Sequence, residues 1–141
     1  MGGFLSKPKT DKFLEQGEGN GLRYVVASMQ GWRSEMEDAH MAKTDLPNLK
    51  DWSYFAVFDG HVGATVSTHC AEHLLDAIMA TEEFKEDVMK GIHNGFLNLD
   101  SNMRQLPGLS SGKLKNLVRL IFLVRTRHPS CSPSRRARRR R

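Results

Sequence analysis

No acidic residue follows Asp100 in this chain of 141 residues, whereas eleven of its 21 Lys and Arg stand beyond Gly112. The formal net charge of +5 thus combines a −6 body, residues 1–111, with a +11 tail. That division excludes a uniformly basic nucleic-acid-binding domain, in which positive charge spreads over a folded face. Cysteine is scarce: Cys70 and Cys131 cannot build a disulfide framework and point to a reducing, cytoplasmic setting. Long apolar runs are also missing. The stretch Leu120–Val124 falls far short of the ~20 residues that a membrane-spanning helix needs. No apolar segment of the kind found in secretory signals follows the N-terminus. What stands there is Met1-Gly2-Gly3-Phe4-Leu5-Ser6, which fits the short pattern for N-myristoylation at Gly2. The length allows one domain.

Residues 1–21 are polar and Gly-rich and read as an exposed lead-in. Gly17-Glu-Gly-Asn-Gly21 lacks the preceding strand and following helix of a phosphate loop, so a flexible connector is the expectation. Leu22–Met29, rich in β-branched and aromatic residues, reads as a strand, and Met41–Thr44 as part of another. Ser53–Phe58 is the clearest strand, short and almost wholly apolar, closed by Asp59-Gly60. After Gly63 the period changes. Val66, Cys70, Leu74 and Ile78 recur every four residues, so an amphipathic helix is expected over Ala64–Ala80. Thr81, followed by Glu82 and Glu83, offers an N-cap for a second helix running to about Gln105, ended by Pro107-Gly108. Gly91 and Gly95 either weaken that helix or permit close packing. Three strands and two helices can cover one sheet face only, so residues 1–106 read as the opening of a larger domain.

Two segments carry candidate chemistry. In Phe55-Ala-Val-Phe-Asp59-Gly60-His61, an Asp closes a buried strand and a Gly leaves the backbone bare. Such an Asp can bridge two hard metal ions, the Gly carbonyl can add an oxygen ligand, and His61 can serve as a general acid. An ordinary strand-to-turn junction has the same appearance. In Gly31-Trp-Arg33-Ser-Glu35-Met-Glu37-Asp38-Ala-His40, clustered carboxylates beside an Arg suit a metal site adjoining a phosphate clamp. A solvated charged loop is the alternative.

Taken together, GWRSEMEDAH and the following FAVFDGHVG resemble the signature of the metal-dependent, type 2C protein serine/threonine phosphatases. The flanking GNGLRY, AEHLLD and NGFLNLDSNMR, and the opening MGGFLSKP, resemble the animal alpha/beta-type members. The resemblance spans Met1 to about Pro107. It implies an α+β fold, the start of a four-layer α-β-β-α sandwich, and a binuclear Mg²⁺ or Mn²⁺ centre acting on phosphoprotein substrates. Under it, Asp59 is the bridging carboxylate, Gly60 gives a carbonyl ligand, and Glu37 reaches a metal through water. Asp38 supports the site, Arg33 binds phosphate, and His61 gives a proton to the leaving serine or threonine oxygen. The implied reaction is direct attack by metal-activated water.

The family's further metal-binding aspartates lie downstream, and a tail without acids cannot supply them. The expectation is a partial phosphatase domain over 22–107, truncated and weakly active or inactive alone, followed by a disordered basic tail over 108–141. The tail is open to three readings. It can bind nucleic acid or act as a nuclear signal, or it can adhere to anionic membrane as a second signal beside a myristoyl chain. The third reading, a chain end without selected function, is favoured by the abrupt loss of acids. A non-catalytic fragment associating through its N-terminus and tail is therefore the rival to a phosphatase. Finally, His69-Cys-Ala-Glu-His73 matches the inverted zinc-protease pattern H-x-x-E-H. Cys70 sits in the apolar stripe, which favours a helix packed on the domain.

Overall fold

The computed structural model describes residues 3–47, 49–61 and 63–106, together with the backbone of 120–125. Strand β1, Phe4–Gly19, and strand β2, Leu22–Arg33, form an antiparallel ribbon joined at Asn20-Gly21. Both turn residues have positive φ, 52° and 72°, the twist that matches two paired strands in a tight hairpin. The expected exposed lead-in is therefore strand from Phe4 onward. Its polarity misleads because a two-stranded ribbon leaves most of β1 in solvent. Asn-Gly, taken as part of a flexible connector, is the hairpin signal itself.

A second antiparallel sheet has the order β3-β4-β5, with β3 at Ala39–Lys43, β4 at Trp52–Phe58 and β5 at Leu120–Arg125. Central β4 buries one face in the main core and turns the other toward the first sheet, where Val57 keeps 45% of its surface exposed. Tyr54, Ala56 and Phe58 are buried in the main core, while Phe55 meets the Tyr24 ring edge-on at 5.5 Å. Residues 120–125, expected within a disordered tail, instead pair with the free edge of β4, Phe55 opposite Phe122. An uncovered edge beside a buried strand favours any β-prone segment that can reach it. The rest of the expected tail, like Gly2, lies outside the described residues.

Helix α1, Thr65–Met79, buries the expected stripe of Val66, Cys70, Leu74 and Ile78 against the second sheet. The second helix departs from expectation at its start. Thr81 does not cap it; its hydroxyl donates to the Ile78 carbonyl at 2.8 Å, and a single 3₁₀ turn follows over Glu82–Lys85. Asp87 is the N-cap of helix α2, Val88–Met103, accepting from the Met89 and Lys90 amides at 3.0 and 3.2 Å. Gly91 lies flush against Phe84 and Gly95 against Ile78, so these glycines serve close packing of α2.

The protein is α+β, as the sequence implied. The described residues comprise two sheets and one helical layer. The sheets are bridged by Asn20 donating to Ser53 Oγ at 3.2 Å and by the His40–Glu15 pair at 3.4 Å. An apolar cavity of about 380 Å³ lies between them, lined by residues such as Val25, Ala27, Met41, Phe55 and Val57. No described helix is long and apolar enough to cross a membrane.

Burial raises the Cys70 thiol from 9.0 to about 12, with nearby Asp100 adding to the effect. Above the ordinary thiol range the unfolded chain loses this proton and the folded one keeps it. Stability is then predicted to fall as pH rises from 9.0 toward about 12, measured by urea denaturation. Substituting Cys70→Ala should flatten part of that loss. For β5, successive amides of a strand point to opposite sides, so proline at both Phe122 and Leu123 must delete a ladder bond to β4. Loss of hydrogen-exchange protection along Trp52–Phe58 is the expected result.

Candidate functional site

Arg33 ends β2, and Asp59 and Gly60 follow directly on β4. The segment between β2 and β3 brings Glu35, Glu37 and Asp38 to the same place. Together with Met29, Gln30 and Met36 they line one polar cleft of about 270 Å³. Five of the six expected catalytic and metal residues, Arg33, Glu37, Asp38, Asp59 and Gly60, share this cleft. His61 stands beside it, with Nδ1 3.5 Å from Asp59 Oδ1 and half its side chain in solvent.

Glu37 organises the cleft. One oxygen of its half-buried carboxylate accepts from Arg33 Nη2 at 3.2 Å, and the other accepts the Gly63 amide. Its main-chain carbonyl accepts the Ser67 hydroxyl, which also bonds the Ala64 carbonyl at 2.9 Å. Three elements are thereby tied together: the end of β2, the loop after β4 and the first turn of α1. Gly31, at φ 66°, lies where the pairing with β1 becomes irregular, two residues before the chain leaves β2. Gln30 holds that exit by donating to the Arg33 and Ser34 carbonyls, both at 2.9 Å.

Gly60 is required by proximity. A Cβ there would run into the Glu37 carbonyl oxygen and lie 2.8 Å from Ser67 Oγ. Gly63, at φ 106°, brings its amide to Glu37 in a conformation that other residues rarely adopt. Gly63, Ser67 and Gln30 were not read as site residues from the sequence. A glycine shortly after Asp59 was the available signal; Ser67 and Gln30 donate to main-chain carbonyls, which no motif shows.

The acidic residues lining the cleft carry carboxylate oxygens, the donor chemistry that suits Mg²⁺ or Mn²⁺. Among the described residues, no group of three or more His, Cys, Asp or Glu is close enough to hold a metal ion. The donor type fits a hard divalent cation, and water would have to supply much of the shell.

A strand-terminal Asp-Gly, an Arg and a run of carboxylates line this one cleft on an α+β frame. The family model for protein phosphatase 2C matches residues 22–118 of this chain. The chain belongs to the protein phosphatase 2C family. It is 54% identical over 113 residues to protein phosphatase 1A of Homo sapiens, covering 74% of this chain and 30% of that relative. It is 48% identical over 126 residues to protein phosphatase 1B of Rattus norvegicus, covering 79% and 32%. The chain thus spans about a third of the length of these curated relatives.

Substituting Gly60→Ala is expected to force the Glu37 carbonyl away and destabilise the chain by about 1–3 kcal/mol. Ser67→Ala, which removes one hydroxyl and its bonds to the Glu37 and Ala64 carbonyls, should cost about 1 kcal/mol. Urea denaturation of both variants beside the parent chain measures the two losses and their order.

Proposed function

We propose that this cleft is the opening part of a phosphoserine/phosphothreonine hydrolase site, and that the 141 residues alone sustain little turnover. The observation supporting the first half is the convergence of Arg33, Glu37, Asp38, Asp59 and Gly60 on one cleft, with His61 against Asp59. The sparse donor set supports the second. Asp59 and the Gly60 carbonyl would hold Mg²⁺ or Mn²⁺, with Glu37 acting through water and Asp38 supporting the site. When bound, the ions supply an acidified water and charge neutralisation for the phosphoryl oxygens.

The chain's own side chains do the rest. Arg33 offers a planar fork to the phosphoryl oxygens. Glu37 aims that guanidinium while itself being fixed by the Gly63 amide. His61, beside Asp59, would hand a proton to the departing serine or threonine oxygen. The partners are phosphoprotein substrates.

The test is hydrolysis of a phosphothreonyl peptide in millimolar Mn²⁺ by the chain and by Asp59→Asn. Turnover close to that of the variant is expected, with Mn²⁺ affinity reduced in Asp59→Asn. Turnover far above the variant would overturn the proposed weakness, and Mn²⁺ binding indifferent to Asp59 would overturn the site. The eleven basic residues beyond Gly112 favour one second reading, a non-catalytic chain drawn to anionic membrane or nucleic acid. Salt-sensitive binding, with no turnover above the variant and Mn²⁺ binding indifferent to Asp59, would select it.

A further inference from the structure

The H-x-x-E-H segment is not absorbed by the phosphatase site. On α1 the core takes Val66, Cys70, Ala71 and Leu74, which leaves His69 half-buried and His73 exposed. One helical turn separates them, so they share a flank of the helix. Their rings already stand together, with centroids 4.3 Å apart and planes tilted by 50°. The Glu72 carboxylate lies 3.9 Å from His73 Nε2. No hydrogen bond to either imidazole is made by the described residues. Neither histidine lines the Asp59 cleft.

We infer that His69 and His73 form a two-imidazole chelate for a borderline transition-metal ion, Zn²⁺ or Cu²⁺, separate from the hard-cation cleft. An ion held ~2.0–2.1 Å from one nitrogen of each ring fits between imidazoles this close after small side-chain rotations. Water completes the shell, and Glu72 stands where it can orient a bound water. Imidazole favours Zn²⁺ and Cu²⁺, whereas carboxylate and carbonyl oxygens favour Mg²⁺ and Mn²⁺, so the two sites sort metals by ligand chemistry. The site binds and does not hydrolyse: two histidines on one exposed helix face provide neither a third fixed ligand nor a cleft for a peptide. Because the ligands are one turn apart, an ion holds α1 in its helical form and stabilises the folded chain.

The test is calorimetric titration of the full chain with Zn²⁺ alone, repeated for His69→Gln, His73→Gln and His93→Gln. His93, exposed on α2, is the control. Binding of one ion is expected, weakened at least about tenfold by either α1 variant and unchanged by the control. A rise in Tm with Zn²⁺ and indifference to excess Mg²⁺ should accompany it. A loss smaller than about tenfold at either position overturns the inference, as does displacement by Mg²⁺. Should a variant unfold, the parent chain decides: paramagnetic Cu²⁺ must broaden the His69 and His73 resonances first, and broadening centred elsewhere defeats the proposal.

Discussion

The Glu37 residue joins three elements that no stretch of continuous backbone would hold together. Its two carboxylate oxygens and its main-chain carbonyl face Arg33, Gly63 and Ser67 respectively. Even a half-buried carboxylate needs such partners to compensate its lost hydration. The same contacts therefore settle both how the chain packs here and how the cleft is shaped. Asp59 and Gly60 leave β4 at a fixed distance from Arg33 because the Glu37 carbonyl lies flush against Gly60. A side chain at position 60 would push the Glu37 carbonyl away and reshape the cleft.

Physical reasons separate what the sequence made legible from what it did not. β4 and α1 were readable because each buries a continuous apolar signal, a run in one case and a four-residue stripe in the other. β1 was not, since a ribbon with solvent on most of its surface has no need of apolar alternation. The start of α2 was misplaced because Thr81 and Asp87 are both capping residue types. Only the backbone shows which side chain turns toward free amides. β5 was hidden by composition: the apolar run Leu120–Val124 is embedded in a basic tail, and its partner strand lies far away in sequence.

The cleft shows the same divide. Arg33, Glu37, Asp38, Asp59, Gly60 and His61 were recognisable as residue types in two motifs, and five line the cleft with His61 adjoining. The residues that hold them, Gly63, Ser67 and Gln30, contribute an amide, a hydroxyl and a side-chain amide to main-chain or carboxylate acceptors. Their identities carry little chemical signature, and their value is positional. The family match, covering residues 22–118, contains all three and stops just short of β5.

The separation between β4 and β5 has a consequence for how the chain assembles. β1 and β2 meet through a two-residue turn, so their pairing closes a minimal loop and can form as soon as both are synthesised. β4 must wait until both helices have been made before Leu120–Arg125 exists to cover its edge. Through that interval a strand of almost wholly apolar residues stands with one side unpaired. Vectorial synthesis thus gives the hairpin early and leaves the centre of the second sheet to last. The most buried strand is also the one longest exposed to mispairing.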